Sequence, residues 1–296
     1  MSVLGLWVQR ANVGLMRAIA RLPLSWLRAM GWLMGQILHA LAVARRRVAQ
    51  ANVRVCFPHL SPQEQAQMVR RHFVAFGQAW VDRSWLWHAP EAVVAGRLRL
   101  MGDVHGLAGS APTVVFAPHF VGLDAGWTAL TLNLPRRFST LYAPQKDAII
   151  DAWMVQGRQR FGQPDVVAKS EGLKPLVAAL RAGEPLYLLP DMDHGLGDSL
   201  WARFMGVPAA TLTSLPRLAK LGRAQVVAVT SRLTPGGYDV QVWPVWPGYP
   251  SVDLAADVQR MNDELERLVS TMPEQYYWVH KRFKTRPPGE PSVYER

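Results

Sequence analysis

The sequence predicts an α/β protein with a mainly parallel mixed sheet flanked by helices, preceded by an N-terminal helical segment that associates with membranes. Two patterns support this fold class. From about Leu98 onward, short apolar stretches alternate with segments of helical length, which is the order of elements in a parallel sheet covered by helices on both faces. Before that point the apolar residues recur at helical spacing. We therefore divide the chain into residues 1–47, the membrane-associating helices, and residues 48–296, the main domain.

The N-terminal segment is basic and apolar. Residues 1–63 contain eight arginines and no Asp or Glu, in a chain whose net charge is +11. Four of these arginines share one helical face, because they are spaced by 7, 4 and 7 residues: Arg10, Arg17, Arg21 and Arg28. Pro23 is expected to divide the segment into two helices.

The run from Ala29 to Ala44 carries no formal charge, yet it is shorter than the roughly 20 apolar residues of a membrane span. It predicts an interfacial or shallowly inserted helix, held to an anionic membrane surface by Arg45, Arg46 and Arg47. A spanning helix and ordinary core-packing helices are the alternatives. A cleaved signal peptide is disfavoured, since basic charge follows the apolar run.

The start of the main domain is helical. Ser61, Pro62 and Glu64 have the spacing of a helix N-terminus, with Ser61 as the N-cap. A single cysteine, Cys56, excludes a disulfide framework and is typical of a reducing compartment.

Seven strands and five helices are predicted after this region. The strands are residues 98–101, 113–116, 139–142, 166–167, 185–189, 225–231 and 238–243. The helices are residues 121–132, 147–161, 172–182, 211–222 and 253–272. In such sheets, ligands bind beyond the carboxyl ends of the strands, where Pro118-His119, Ala143-Pro144 and Pro190-Asp191 are expected.

His119 and Asp124 flank the junction between a buried strand and the next helix. If His119 lies in the turn and Asp124 in the first helical turn, the carboxylate can orient one imidazole nitrogen, leaving the other to take a proton from a hydroxyl. This would be a base without a protein nucleophile, since no Gly-x-Ser-x-Gly motif is present. The alternative is an interior histidine and an ordinary helix N-terminal carboxylate.

Three further clusters are candidates for the same edge. Arg158 and Arg160 lie at the end of a predicted helix. An arginine there could stabilise an oxyanion or bind a phosphate; the alternative is a solvated helix C-terminus. Asp191, Asp193 and His194 follow a buried strand; these are too few oxygen donors for a hard cation, so we favour orientation of an arginine or a substrate hydroxyl. Near the C-terminus, aromatic residues accompany four cations that suit a lipid interface bearing phosphates: Lys281, Arg282, Lys284 and Arg286. A nucleic-acid patch would look similar, but no recognised nucleic-acid module accompanies it.

Taken together, these blocks resemble the late acyltransferases of bacterial lipid A biosynthesis, the lauroyl and myristoyl transferase family. The resemblance covers nearly the whole chain, and its most specific block runs from Pro273-Glu274-Gln275-Tyr276 to Arg282-Phe283-Lys284-Thr285-Arg286-Pro287. The earlier blocks are Arg46-Arg47-Val48-Ala49, Asn52-Val53, Cys56-Phe57-Pro58, His119-x4-Asp124, Gly157-Arg158-x-Arg160, Asp191-x-Asp193 and Phe204-Met205-Gly206-Val207-Pro208-Ala209-Ala210-Thr211. The His-x4-Asp pattern by itself is shared with glycerolipid acyltransferases.

This resemblance implies a glycerolipid-acyltransferase-like fold and acyl transfer from acyl carrier protein to a hydroxyl on an acyl chain of a lipid A precursor. The reaction would take place at the cytoplasmic face of the inner membrane of a Gram-negative bacterium, without a cofactor or a metal. By analogy His119 is the base, Asp124 its partner and Arg158 the oxyanion ligand. Arg160, Asp191, Asp193 and the four C-terminal cations would contact substrate.

One departure concerns Ala143, since the family often has Tyr-Arg-Pro where this chain has Tyr142-Ala143-Pro144. The missing guanidinium leaves open a different lipid acceptor, such as an ornithine-type or polyene lipid. A non-catalytic membrane-binding protein of the same fold and a thioesterase are the further alternatives.

Overall fold

The computed structural model describes residues 3–295, with side chains from residue 9 onward; predictions for residues 1, 2 and 296 lie outside this range. It begins with α1 (Val3–Ile19), α2 (Leu24–Leu41), α3 (Val43–Cys56) and α4 (Pro62–His88). As predicted, Pro23 separates α1 from α2, and Ser61 caps α4 in a reciprocal capping box with Glu64.

The nine strands described are β1 (Leu98–Gly102), β2 (Thr113–Phe116), β3 (Ser139–Tyr142), β4 (Asp165–Ala168), β5 (Leu186–Leu188), β6 (Ser199–Phe204), β7 (Val207–Leu212), β8 (Gln225–Thr234) and β9 (Gly237–Val242). Seven form one sheet in the order β1-β9-β8-β2-β5-β3-β4, in which every neighbouring pair is parallel except β8 with β9. The predicted α/β class and its mainly parallel sheet are confirmed.

The remaining α-helices described are α5 (Glu91–Ala95), α6 (Val104–Ala108), α7 (Leu123–Asn133), α8 (Ala148–Arg158), α9 (Lys174–Arg181), α10 (Ser214–Gly222) and α11 (Leu254–Thr271). Both faces of the sheet are covered. Along β2, Val114 and Phe116 join one apolar core while Val115 joins the other, which is the alternation of a strand buried on both sides.

The antiparallel hairpin of β6 and β7 was not predicted. It shortens the helix expected at 211–222, because Thr211 pairs with Leu200 and Leu212 with Ser199, so α10 begins only at Ser214. The turn signal of this hairpin is Met205-Gly206, whose φ angles are both positive, at 50° and 75°.

Helix α2 packs backbone to backbone against α4. The contact requires glycine on both helices: a Cβ on Gly77 would lie 2.3 Å from the carbonyl oxygen of Gly31, and one on Gly35 would lie 2.5 Å from the carbonyl oxygen of Phe73. Small residues at such positions let two helix backbones approach closely. Helix α2 therefore packs closely onto the rest of the protein.

Arg28 connects α2 to the sheet as well. Its guanidinium lies 2.5 Å from the buried carboxylate of Asp82 on α4 and donates hydrogen bonds to the carbonyl groups of Thr234 and Gly237. The hydroxyl of Tyr238 on β9 donates to the same carboxylate. Arg28 was predicted to share one helical face with Arg10, Arg17 and Arg21, and the structure places its side chain in this internal network.

The opposite face of α2 is apolar and exposed. Trp26, Leu33, Ile37 and Leu41 are 65%, 53%, 48% and 75% exposed, and their spacing of 7, 4 and 4 residues puts them on one side of the helix. Within residues 3–295, no helix taken singly has both the length and the hydropathy of a bilayer span; α2 and α3 reach them only as a pair, with a 90° bend between them.

Candidate active site

The site lies at the carboxyl edge of two neighbouring strands. Because β2 and β5 are adjacent and parallel, the residues that follow them meet at one edge of the sheet. Strand β2 continues through Ala117 and Pro118 to His119, and β5 continues through Leu189 and Pro190 to Asp191. The prediction that both segments share this edge is confirmed.

His119 is hydrogen-bonded to Asp191 twice. Its Nδ1 lies 2.7 Å from one carboxylate oxygen, and its backbone N–H donates to the other at 3.0 Å. Burial alone would raise the pKa of Asp191, but the charge and hydrogen bonds of His119 outweigh it and bring the pKa to about 2. An ionised carboxylate can only accept, so in the neutral imidazole Nδ1 carries the proton and Nε2 presents its lone pair.

The predicted hydrogen bond from His119 to Asp124 is therefore wrong. Asp124 lies in the first turn of α7, where both of its carboxylate oxygens accept from arginines instead: Arg83 Nε on α4 at 2.8 Å and Arg158 Nε at the end of α8 at 3.0 Å. The closeness of His119 and Asp124 in sequence misled the prediction. The partner of the imidazole comes from the next strand of the sheet, 72 residues away in the chain.

Two guanidinium groups thus share one buried carboxylate. Burial opposes ionisation of Asp124, yet the charges of Arg158 and Arg83 bring its pKa to about 2. The three side chains together keep one net positive charge, and both guanidinium groups are partly accessible, at 17% for Arg158 and 13% for Arg83. Sequence reasoning missed Arg83, because an arginine within a long helix carries no local signal of its partner.

The C-terminal segment holds the histidine in place. The Tyr276 hydroxyl donates to Asp191 at 3.0 Å, and the Tyr277 N–H donates to the His119 carbonyl oxygen at 2.9 Å. The rings of Tyr277 and His119 stack with centroids 6.4 Å apart. The most specific block of the sequence therefore contacts both members of the His119–Asp191 pair.

Asp193 fastens this same segment to the loop after β5. Its carboxylate accepts from the N–H and hydroxyl of Thr285 and from the N–H of Gly195, while its own N–H donates to Nε2 of His280. Burial lowers the pKa of His280 to about 4, so this imidazole is neutral. These contacts make Asp193 an internal brace, and the expectation that it contacts substrate is wrong. Within residues 9–295, no three His, Cys, Asp or Glu side chains are grouped to hold a metal ion.

Three of the candidate arginines bind protein carbonyl groups. Arg160 donates to Leu86 and Ala89 at the end of α4, and Arg286 donates to Pro208. Arg282 is 2% exposed and donates to Ala210 on β7, so its predicted role in substrate binding is wrong. The same correction applies to Arg160, whose guanidinium donates to backbone carbonyl groups, and to Arg286, which also pairs with the carboxylate of Glu290. Lys281 and Lys284 are exposed.

An apolar groove of about 150 Å³ lies beside the histidine. It is lined by residues of α2, α3, α4 and the C-terminal segment: Leu38, Ala42, Arg45, His72, Phe73, Phe76, Tyr277 and Val279. Tyr277 is common to the groove and to the stack on His119. Ala42 directly follows the exposed Leu41 in the chain.

The sequence matches the family model described as bacterial lipid A biosynthesis acyltransferase over residues 1–285. The chain belongs to this family. Among its relatives is the lipid A biosynthesis palmitoleoyltransferase of Escherichia coli, 29% identical over 97% of this chain and 94% of the relative. The lauroyltransferase of the same organism is 28% identical, covering 97% and 95%. Its myristoyltransferase is 30% identical, covering 98% and 91%.

The names of these three relatives specify three different acyl groups at nearly the same sequence identity. Membership of the family thus indicates acyl transfer in lipid A biosynthesis and leaves the acyl group of this protein open.

Proposed function

We propose that this protein transfers a fatty acyl chain from an acyl-carrier-protein thioester to a hydroxyl on an acyl chain of a lipid A precursor. The reaction would occur at the cytoplasmic face of the inner membrane of a Gram-negative bacterium, without a cofactor or metal. The observation that carries the proposal is the pairing of His119 with Asp191 beside an apolar groove.

In the proposed reaction His119 is the general base. Its Nε2 takes the proton of the acceptor hydroxyl as the oxygen attacks the thioester carbonyl carbon. The C–S bond then breaks, an ester C–O bond remains, and the proton passes from Nε2 to the departing thiolate. Asp191 keeps Nδ1 protonated and stabilises the imidazolium that forms, which is the task of the carboxylate in other base-and-orienter pairs.

We assign stabilisation of the developing negative charge on the carbonyl oxygen to Arg158. Arg83, which binds the same Asp124 carboxylate, would assist it. Asp124 holds both guanidinium groups by their Nε atoms, at 3.0 Å for Arg158 and 2.8 Å for Arg83, which leaves terminal nitrogens to face an oxyanion or a phosphate. Asp124 is in this account the positioning residue of the arginine pair, in place of the partner of His119.

In the proposed reaction both substrates are anionic, so the protein needs exposed cations to bind them. Lys281 and Lys284 remain our candidates for contacts with substrate phosphates or with acidic residues of the carrier protein. Burial lowers the pKa of His194 most, and the charges of Lys169 and Lys284 lower it further. These two cations therefore lie near the same edge of the site.

We propose that residues 1–47 attach the protein to the membrane through the exposed face of α2. Its apolar stripe ends at Leu41, and Arg45 and Arg47 follow on the exposed side of α3, in the arrangement of an interfacial helix beside anionic lipid headgroups. Substitution Ile37→Glu should weaken binding to anionic vesicles. The matched control is Val252→Glu, which adds the same charge at a residue that is 99% exposed. Equal vesicle binding by the two variants would refute this attachment site.

The test of the reaction is mass spectrometry of lipid A from cells with and without the gene, complemented by wild type or by His119→Ala. We expect one acyl chain to be lost, and to be restored by wild type but not by His119→Ala. Purified protein should then acylate a lipid A precursor from acyl carrier protein in a mixture of lipids. Acylation of an ornithine-type or polyene lipid in that mixture would support the alternative acceptor. Acyl release without any acceptor would indicate a thioesterase.

A further inference from the structure

A second histidine, His72 on α4, lines the apolar groove. Its side chain is fully buried and makes an edge-on contact with the ring of Tyr277, with centroids 6.5 Å apart. Because Tyr277 also stacks on His119 at 6.4 Å, one tyrosine ring contacts both histidines. Tyr277 thus connects His72 in the groove with His119 in the site.

The hydrogen bonding of His72 leaves one ring nitrogen without a partner. Nδ1 lies 3.2 Å from the carbonyl oxygen of Glu274, and since a carbonyl can only accept, Nδ1 carries the proton. Burial lowers the pKa of His72 to about 4, so the ring is neutral near pH 7. Nε2 is then an acceptor, and within residues 9–295 nothing donates a hydrogen bond to it.

A buried acceptor without a donor is unfavourable for folding, so it is retained where a ligand completes it or where another requirement overrides the cost. The other groove residues are mostly apolar and include Phe73 and Phe76, so they select a hydrocarbon occupant. The ligand that matches both features is an alkyl chain with one hydroxyl close to its polar end. The hydroxyl would reach Nε2, and the alkyl tail would lie against the apolar residues of the groove.

We propose that this groove binds a second hydroxylated acyl chain of the acceptor lipid, and that Nε2 of His72 accepts the hydrogen bond from its hydroxyl. The proposal rests on the proposed function, in which the first hydroxyl is the one attacked at His119. Ala42, which lines the groove, directly follows exposed Leu41 in the chain, so the groove borders the apolar face from which the tail of a membrane lipid would enter. His72 is thereby a specificity residue for the acceptor, separate from the base.

The test compares two synthetic acceptors with one plain acyl thioester of acyl carrier protein as donor. Both acceptors carry the hydroxyl to be acylated; one carries a second 3-hydroxyacyl chain and the other a plain chain of equal length. We expect wild type to prefer the first by about tenfold in kcat/KM, the selectivity of one neutral hydrogen bond. In His72→Phe, which keeps the ring and removes both nitrogens, the ratio should fall to about one. The control His105→Phe, at an exposed histidine, should keep the wild-type ratio.

Equal rates of wild type on the two acceptors, or an unchanged ratio in His72→Phe, would overturn the inference while leaving the proposed function intact. Transfer to neither acceptor would instead refute the proposed function. A donor series with and without a 3-hydroxyl completes the test. If His72→Phe changed the donor ratio and not the acceptor ratio, the groove would hold the donor chain and the assignment would be overturned. His72→Gln, which keeps an acceptor atom, should recover part of the acceptor ratio.

Discussion

Substitution of Asp191 by Asn tests whether His119 is oriented by Asp191, as in the structure, or by Asp124, as expected from the sequence. Asn is nearly isosteric, so the hydrogen-bonding positions near His119 Nδ1 and Tyr276 are kept while the charge is removed. The amide can also donate to Nδ1, which forces the proton onto Nε2 and blocks its use as a base. If Asp124 were the orienter instead, Asp191→Asn would have little effect on catalysis.

The expected magnitude follows from the ionisation of the carboxyl. A pKa of about 2 lies nearly two units below the ordinary aspartate value of 3.8, in spite of burial. Each unit corresponds to about 1.4 kcal/mol, so the site favours the carboxylate by roughly 2–3 kcal/mol, which is close to 100-fold in rate if that stabilisation is lost from the transition state. The wrong tautomer adds to this, and we expect kcat to fall by about 10² to 10⁴.

The assay is acyl transfer from an acyl-carrier-protein thioester to a lipid A precursor, measured across pH, with circular dichroism and thermal melting to establish folding. Asp193→Asn is the matched control. It removes a buried carboxylate from the same loop, one that binds Thr285 instead of His119. We expect that control to lower the melting temperature and to leave the shape of the pH–rate profile as in wild type.

A folded Asp191→Asn protein with kcat within about fivefold of wild type would refute the pairing of base and orienter, since the charge alone is expected to supply close to 100-fold. A loss confined to Asp124→Asn, with Asp191→Asn fully active, would restore the pair predicted from the sequence.

Three further predictions concern stability. Gly77→Leu should lower the melting temperature markedly, because its Cβ would lie 2.3 Å from the Gly31 carbonyl oxygen, whereas Gly14→Leu meets nothing within 4 Å and serves as the control; equal melting temperatures would argue against the close helix contact. Asp124→Asn should cost about 3–5 kcal/mol in urea unfolding, because two arginines lose their buried counter-charge; a loss below about 1 kcal/mol would contradict the arginine pair. His72 has a folded pKa of about 4 against 6.5 for the ordinary group, so the unfolded chain binds more protons between these values and stability is lost as pH falls from 6.5 to 4. Between pH 7 and pH 5 this amounts to about 2 kcal/mol, and an unchanged pH dependence in His72→Phe would contradict it.

Much of the fold could be read from the sequence, because local patterns determine which segments become strands and helices. The predicted strands at 113–116 and 139–142 match β2 and β3 at both ends. The capping box at Ser61 was recognised because its partners are three residues apart. The hairpin at 199–212 was missed, since β6 mixes polar, charged and aromatic residues and β7 consists mainly of small residues with a proline, so neither has the clear apolar alternation of a strand.

The sequence by itself determined the family, the sheet and the edge where the site lies, because strand ends and turns are local properties of the chain. It could not determine the partner of His119. That partner depends on which strand neighbours β2. The neighbour is β5, which is separated from β2 in the chain by two strands and three α-helices. The tertiary structure alone brought Asp191 to His119 and Arg83 to Asp124. It also distinguished buried Arg282, whose guanidinium donates to Ala210 and Thr211, from exposed Lys284, because composition records a charge but not what that charge contacts.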